Sequence, residues 1–237
     1  MISLVALDLD GTLTQHRSPL TEENKNLIDA LGARYRLVMV GAGACLRIHR
    51  QMGGYPVDII GNYGMEIACW DPASRGLAPR ESVRIEPDRE AIFEKAARFR
   101  RRFGYEEFAG ESVEFHDSGM VTFPLLGTKA EISDKLAFDP TRAKRRALYG
   151  EAISLFSDYT VFIGGSSSYD LVPAPYEKRY ALGKYCALVG AELSGAVFFG
   201  DDWERGGGDS HVFESEIRFV QVEDYRDFGK SARFLLT

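Results

Sequence analysis

Cysteine is scarce in this sequence, and the three present, Cys45, Cys69 and Cys186, are scattered, odd in number and without a CxxC or other metal-ligand spacing. No disulfide framework or structural zinc site is implied, and the three read as reduced core residues of a cytoplasmic protein. Long apolar runs are also missing: none approaches the ~18 residues of a membrane helix. The chain opens on a strand-like segment with no charged leader, so neither secretion nor membrane spanning is expected. There is no excess of positive charge, since 29 Lys and Arg face 35 Asp and Glu for a formal net charge of −6. The densest basic stretches, residues 98–102 and 142–146, fall in helix-like segments and read as solvated faces, which argues against a nucleic-acid partner. Internal repeats and low-complexity tracts are absent. What remains is a chain of 237 residues, 45% hydrophobic, that can bury a sizeable core, either as one large domain or as a core with an inserted lid.

Residues 4–14, LVALDLDGTLT, carry the most information. A run of strand-forming apolar residues ends on Asp8 and Asp10, with Gly11 free to turn the chain away. Two carboxylates at the carboxyl edge of a buried parallel strand lie where ligands bind in open α/β sheets. Leu9 between them alternates inward, so both are expected on one side of the strand end, where they repel unless a cation joins them. Mg²⁺, a hard ion that prefers oxygen and works beside phosphate, is the expected cation. The full pattern, strand then Asp-x-Asp-Gly-Thr-Leu-Thr, resembles the nucleophile motif of the haloacid dehalogenase superfamily of phosphohydrolases and phosphotransferases. That resemblance implies that Asp8 attacks phosphorus to form an aspartyl phosphate and that Asp10 is the general acid and base.

Strand and helix patterns alternate along the chain. Thr21 with Glu22 and Glu23 opens an amphipathic helix that ends near Gly32. Residues 35–40 read as a strand, 45–52 as a helix and 57–60 as a third strand, a right-handed parallel β/α arrangement. Residues 67–70 follow as a further short strand, and residues 72–79 are rich in Pro, Gly and Ser. Beyond them the texture becomes α+β: helices at 87–103 and 141–156, and strands at 113–115, 120–123, 160–163 and 169–172. The parallel pattern then resumes with a helix at 178–189, strands at 196–200 and 217–222, and a last helix toward Leu236. The expected fold is a doubly wound, Rossmann-like α/β core made of residues 1–81 and 175–237, with residues 82–174 inserted as an α+β cap. Pro173 and Pro175 mark one hinge, and a lid there can exclude water during phosphoryl transfer.

A second acidic strand end, FFGDDWERGGGD, spans residues 198–209. Asp201 is expected across the sheet edge from Asp8 to complete the oxygen shell of Mg²⁺, with Asp209 as a further or outer ligand. Lys178 starts the helix that re-enters the core and can neutralise charge shared by a carboxylate nucleophile and a transferring phosphoryl group.

The segments DLDGTLTQHR, GNYGMEIA, GESVEFHDSGMVTFP, GGSSSYDLVPAPYEKRYAL and FFGDDWERGGGDSHVF resemble, in order and spacing, those of the eukaryotic-type phosphomannomutases. The resemblance implies a cap of the IIB, Cof-like, branch and allows a homodimer through it. It places Arg17 near the substrate phosphate or the closed cap, and Ser168 and Asp170 on a cap strand where they would bind sugar hydroxyls. Two departures matter. Where the mutase pattern grips a second phosphate with cap arginines, this chain has Ala109, His116 and Thr128. Where the superfamily places a phosphate-binding Ser or Thr hydroxyl, the chain reads Gly41-Ala-Gly-Ala, with Gly43 in the hydroxyl's position. The backbone N–H groups around Gly41 and Gly43 are then left to form an anion nest. The expectation is a Mg²⁺-dependent phosphohydrolase acting on a sugar phosphate. The alternatives are a hexose-phosphate mutase and a phosphosugar-binding member without turnover.

Overall fold

The computed structural model describes residues 2–237. The chain begins β1 (Leu4–Leu7), α1 (Glu22–Gly32), β2 (Arg36–Val40), α2 (Cys45–Gln51), β3 (Asp58–Gly61), β4 (Glu66–Asp71) and β5 (Gly76–Ser82). It continues α3 (Arg89–Phe103), β6 (Glu114–Phe115), β7 (Val121–Pro124), α4 (Ile132–Phe138), α5 (Ala143–Leu155), β8 (Tyr159–Phe162) and β9 (Ser168–Pro173). It closes with α6 (Lys178–Val189), β10 (Ala196–Gly200), α7 (Ser210–Phe213), β11 (Arg218–Gln221) and α8 (Phe228–Leu236). These elements fall into two compact units. One comprises the chain up to Val83 with Glu177–Glu204 and Asp209–Thr237; the other comprises Arg84–Tyr176 with Arg205–Gly208.

The first unit holds a seven-stranded sheet in the order β11-β10-β1-β2-β3-β4-β5, parallel from β11 to β3 and antiparallel from there to β5. Every residue of β1 is buried, because alternate side chains enter two different cores. Val5 and Leu7 pack with Ile28 and Leu31 of α1, Ile48 of α2 and Phe228 of α8. Leu4 and Ala6 pack with Ala181, Leu182 and Tyr185 of α6 and Val212 of α7. Helices thus cover both faces, the doubly wound arrangement expected from the sequence. Thr21 caps α1 by accepting the Asn24 N–H at 3.2 Å. The three cysteines are free and buried.

The proline- and glycine-rich stretch after Trp70 forms no linker. It turns back as β5 and pairs with β4, with Pro79 opposite Ala68 at a register shift on the sheet edge. An edge strand tolerates a residue without an N–H donor, which is why a turn-like composition still makes a strand here.

The second unit is built on an antiparallel sheet in the order β6-β7-β9-β8. Val121, Phe123, Tyr169, Leu171 and Val161 turn one face of it toward Ile92, Ala96 and Phe99 of α3 and Ala152 of α5. The short helix α4 has no buried residue, so it left no amphipathic signal in the sequence. Among the described residues no helix is long and apolar enough to cross a membrane.

Both basic stretches that read as solvated faces contain a buried arginine. Arg100 is 3% exposed and donates to the carbonyls of Tyr105, Leu125, Ser112 and Pro124. With no carboxylate beside it, burial lowers its pKa to about 10. Arg145 is 1% exposed; its Nε meets Asp139 Oδ2 at 2.9 Å and its Nη1 donates to Gly164, Gly165 and Ser168 carbonyls. A planar fork of donors lets one side chain satisfy several turn carbonyls, an exception that residue-type statistics hide. Asp139 also accepts the N–H groups of Lys144 and Arg145 at the start of α5. Replacing Arg145 with Met leaves the buried Asp139 carboxylate without a cation and removes a donor from the Gly164, Gly165 and Ser168 carbonyls, so Arg145→Met is expected to lose about 3–5 kcal/mol of stability. Urea unfolding followed by circular dichroism measures this; a loss below about 1 kcal/mol would show that the pair is not a keystone of this unit.

Candidate active site

The site lies at the carboxyl ends of β1 and β10, hydrogen-bonded neighbours whose residues Leu7 and Phe199 stand opposite each other. Sheet growth reverses here: β2 and β3 lie to one side of β1, β10 and β11 to the other, the switch point at which open α/β sheets bind ligands. Asp8 is the first residue after β1, and its N–H donates to Phe199 O at 2.9 Å. Asp201 is the first residue after β10. Asp209 precedes α7, and the loop between closes on itself. The Asp209 N–H donates to Asp202 O at 2.9 Å, and the Asp202 N–H donates to Asp209 Oδ2 at 3.1 Å. One oxygen from each of Asp8, Asp201 and Asp209 lies within 4.8 Å of the others.

Lys178, the first residue of α6, is 4% exposed, and its Nζ donates to Asp8 Oδ1 at 2.6 Å and Asp209 Oδ1 at 2.7 Å. Glu177 fixes that helix start by accepting the N–H groups of Arg179 and Tyr180. Gly11 presses against the cluster from the turn after β1. Its φ is +100°, and a Cβ there would lie 2.3 Å from Asp201 Oδ2, so both conformation and space require glycine. Thr12, fully buried, donates its hydroxyl to Asp201 Oδ1 at 3.0 Å.

Three carboxylates against one ammonium leave an excess of two negative charges in a buried place. Burial pushes the Asp8 carboxyl well above the usual range; Lys178 opposes this, while Asp209 and Asp201 reinforce it. Burial, then Asp209, raises Asp201 to about 6. For Lys178 burial works against the charge, but Asp209 and Asp8 outweigh it and hold the ammonium well above its ordinary pKa. A divalent cation cancels the excess, and an all-carboxylate donor set selects a hard one. Asp8, Asp201 and Asp209 therefore form a cluster suited to Mg²⁺.

The Asp10 carboxylate is not part of this cluster. Its Oδ1 accepts the Arg17 N–H at 2.7 Å and Gln51 Nε2 at 2.6 Å, and its Oδ2 lies 3.6 Å from Arg47 Nη1. The two aspartates of the first motif therefore have separate partners, Asp8 a lysine and Asp10 the residues of α2. Arg17 meets Asp10 through its backbone while its side chain is exposed. Gly41 and Gly43 form the turn after β2; their carbonyls accept the N–H groups of Tyr63 and Asn62, and the Gly41 N–H, expected in an anion nest, donates to Ile60 O at 2.9 Å as the sheet ladder continues into the turn. Arg47 and Gln51 went unread in the sequence. Their i,i+4 spacing on α2, which the 2.8 Å hydrogen bond from Arg47 Nη1 to Gln51 Oε1 realises, was the available signal.

The remaining candidates belong to the second unit. Ser168 is buried and donates its hydroxyl to Gly164 O at 3.0 Å. Asp170, half-buried, stands opposite Thr122 in the β7–β9 register and accepts its hydroxyl at 3.2 Å. Thr122 in turn lies 3.0 Å from His116 Nε2. Burial raises the Asp170 carboxyl against the opposing hydrogen bond from Thr122. Thr128 accepts the Glu111 N–H at 2.9 Å, and Ala109 contributes only its backbone.

A metal titration tests the charge argument. A raised carboxyl pKa stabilises the metal-free fold below the unfolded value and loses that contribution as pH rises through the folded value, here about 6 for Asp201. Metal-free protein should therefore lose stability as pH rises from about 4 to about 6, Mg²⁺ should restore it, and Mg²⁺ affinity should climb over the same interval. Asp201→Asn should lower the affinity by about tenfold or more. Calorimetry showing pH-independent binding, or full affinity in the variant, would contradict this assignment.

A profile of the family described as "Eukaryotic phosphomannomutase" matches residues 105–230, just over half of the chain. Phosphomannomutase of Saccharomyces cerevisiae is 28% identical over 223 residues, covering 90% of this chain and 86% of that protein. The enzyme of Triticum aestivum is 24% identical over 221 residues, covering 90% and 86%. Among solved structures, a haloalkanoate dehalogenase superfamily phosphatase, BT1666 of Bacteroides thetaiotaomicron, aligns with a TM-score of 0.64 at 15% identity, covering 99% of this chain and 95% of that one. A trehalose-6-phosphate phosphatase related protein aligns at 0.52 with 17% identity, covering 99% and 97%. These structures share the fold, and the profile match shows that this chain belongs to the eukaryotic phosphomannomutase family.

Proposed function

We propose that the protein hydrolyses a sugar phosphate, or a similar small phosphomonoester, through an aspartyl phosphate on Asp8. The observation that carries this reading is the buried set of three carboxylates held by one lysine at the carboxyl edge of β1 and β10. In the first step an Asp8 oxygen attacks phosphorus, the bond from phosphorus to the sugar oxygen breaks, and Asp10 gives its proton to the leaving oxygen. In the second step Asp10 takes a proton from water, which attacks the aspartyl phosphate, frees inorganic phosphate and restores Asp8. The Arg17 N–H and Gln51 amide orient Asp10 for both transfers. Lys178 orients Asp8 and offsets charge on the phosphoryl group. Asp8, Asp201 and Asp209, with the backbone carbonyl of Asp10, would hold Mg²⁺, which supplies Lewis-acid neutralisation of phosphoryl oxygens when bound.

The four-stranded cap sheet covered by α3 and α5 supports a cap of the IIB, Cof-like, branch, with Asp170 and Ser168 as sugar-binding candidates. Family membership favours a second reading, hexose-phosphate mutase. A mutase must grip a second phosphate, and the cap offers Ala109, a His116 engaged with Thr122, and a Thr128 engaged with Glu111. None provides a guanidinium fork, which favours hydrolysis.

A screen of sugar monophosphates with Mg²⁺ distinguishes the readings. Phosphate release should exceed interconversion of hexose 6- and 1-phosphates even with a hexose bisphosphate present. Asp8→Asn should cut release by at least about a thousandfold while keeping the fold. Interconversion faster than release would establish the mutase reading, and phosphosugar binding without turnover would establish a non-catalytic one.

A further inference from the structure

The turn after β2 offers an incoming phosphate no side-chain donor, since residues 41–44 read Gly-Ala-Gly-Ala. The space above it is filled. A Cβ placed on Gly43 would lie 2.1 Å from Arg47 Nε, 2.3 Å from Nη2 and 2.5 Å from Cζ, so the guanidinium rests on this glycine. Gly43 is not among the residues of positive φ, so its backbone does not demand glycine. A side chain there would instead push the Arg47 guanidinium aside.

The guanidinium is used on one side only. Nη1 donates to Gln51 Oε1 at 2.8 Å and stands 3.6 Å from Asp10 Oδ2. Nε and Nη2 donate to no protein acceptor among the described residues. That edge carries the two parallel N–H groups that bind phosphate oxygens bidentately. It lies at the Gly43 turn beside Asp10, and the side chain as a whole is 44% exposed. An arginine present only to pair with Asp10 would turn this edge to the carboxylate; the 3.6 Å contact through Nη1 is loose by that standard. Lys178 stands at Asp8 and Asp209 while Arg47 stands at Asp10, so a cation serves each aspartate of the first motif.

We propose that Arg47 binds the phosphoryl group of the substrate through its Nε and Nη2 edge, and that Gly43 is the space which admits it. This rests on the reading of the site as a phosphomonoesterase. It makes residues 43 and 47 one unit: a side chain at 43 displaces the guanidinium, and a hydroxyl there supplies a donor only once the guanidinium is gone.

The test uses inorganic phosphate as probe, titrated calorimetrically into the Mg²⁺-loaded protein, alongside KM and kcat for a phosphomonoester that the wild type hydrolyses. Thermal melts check that each variant is folded. Arg47→Ala should weaken phosphate binding about ten- to hundredfold and raise KM, and Arg47→Lys should fall between, keeping charge without the fork. Gly43→Ser should weaken binding by displacing the guanidinium, whereas Gly43→Ser combined with Arg47→Ala should bind phosphate better than Arg47→Ala alone. Wild-type affinity in folded Arg47→Ala, or losses that simply add in the double variant, would overturn the proposal. Failure of the wild type to bind phosphate and to turn over would instead defeat the phosphomonoesterase reading, and this proposal with it.

Discussion

The contact between Lys178 and two of three clustered carboxylates is the constraint on which the rest of this site depends. A buried ammonium at 2.6 and 2.7 Å from Asp8 and Asp209 cannot balance three negative charges. Buried ion pairs seldom gain net stability over an apolar packing of equal volume, so this arrangement is poorly explained as a structural element. It is well explained as a receptor for two further positive charges. The surroundings agree: Gly11 lets the first turn approach Asp201, Thr12 fixes that carboxylate, Glu177 fixes the start of α6, and the Asp202–Asp209 hydrogen bonds pin the acidic loop. Each of these holds charge in an unfavourable place at the end of a sheet whose centre is otherwise apolar.

The second unit handles buried charge in the opposite way. Arg145 is paired with a carboxylate, and Arg100 donates to four backbone carbonyls, so both are held by groups within this unit. The contrast separates cohesion from chemistry: guanidinium groups tie the turns of the cap together, while the core keeps an uncancelled negative cluster at the strand ends.

The sheet and its acidic edge were legible because their causes are local. Apolar runs that end in Asp-x-Asp-Gly and Gly-Asp-Asp place carboxylates at strand ends, and the Lys178–Val189 helix and the Ala196–Gly200 strand have the bounds their patterns indicate. The failures have physical reasons too. β5 looks like a turn because its proline sits on an edge, α4 buries nothing that could give it a period, and Arg100 and Arg145 are buried against the habit of their residue type. The Asp10 carboxylate was expected beside that of Asp8, but it is held by Gln51 and the backbone of Arg17. Arg47 could not be placed from sequence, since its position depends on the space left by a side chain that residue 43 lacks.

The central claim is that Asp8, within a cluster completed by a divalent cation, takes up the phosphoryl group. A crystal structure of the protein with Mg²⁺ and beryllofluoride tests it most directly. The account predicts a beryllium adduct on an Asp8 oxygen and a metal ion bound by Asp8 and Asp201. An unmodified Asp8, or a metal ion bound away from these carboxylates, would contradict it.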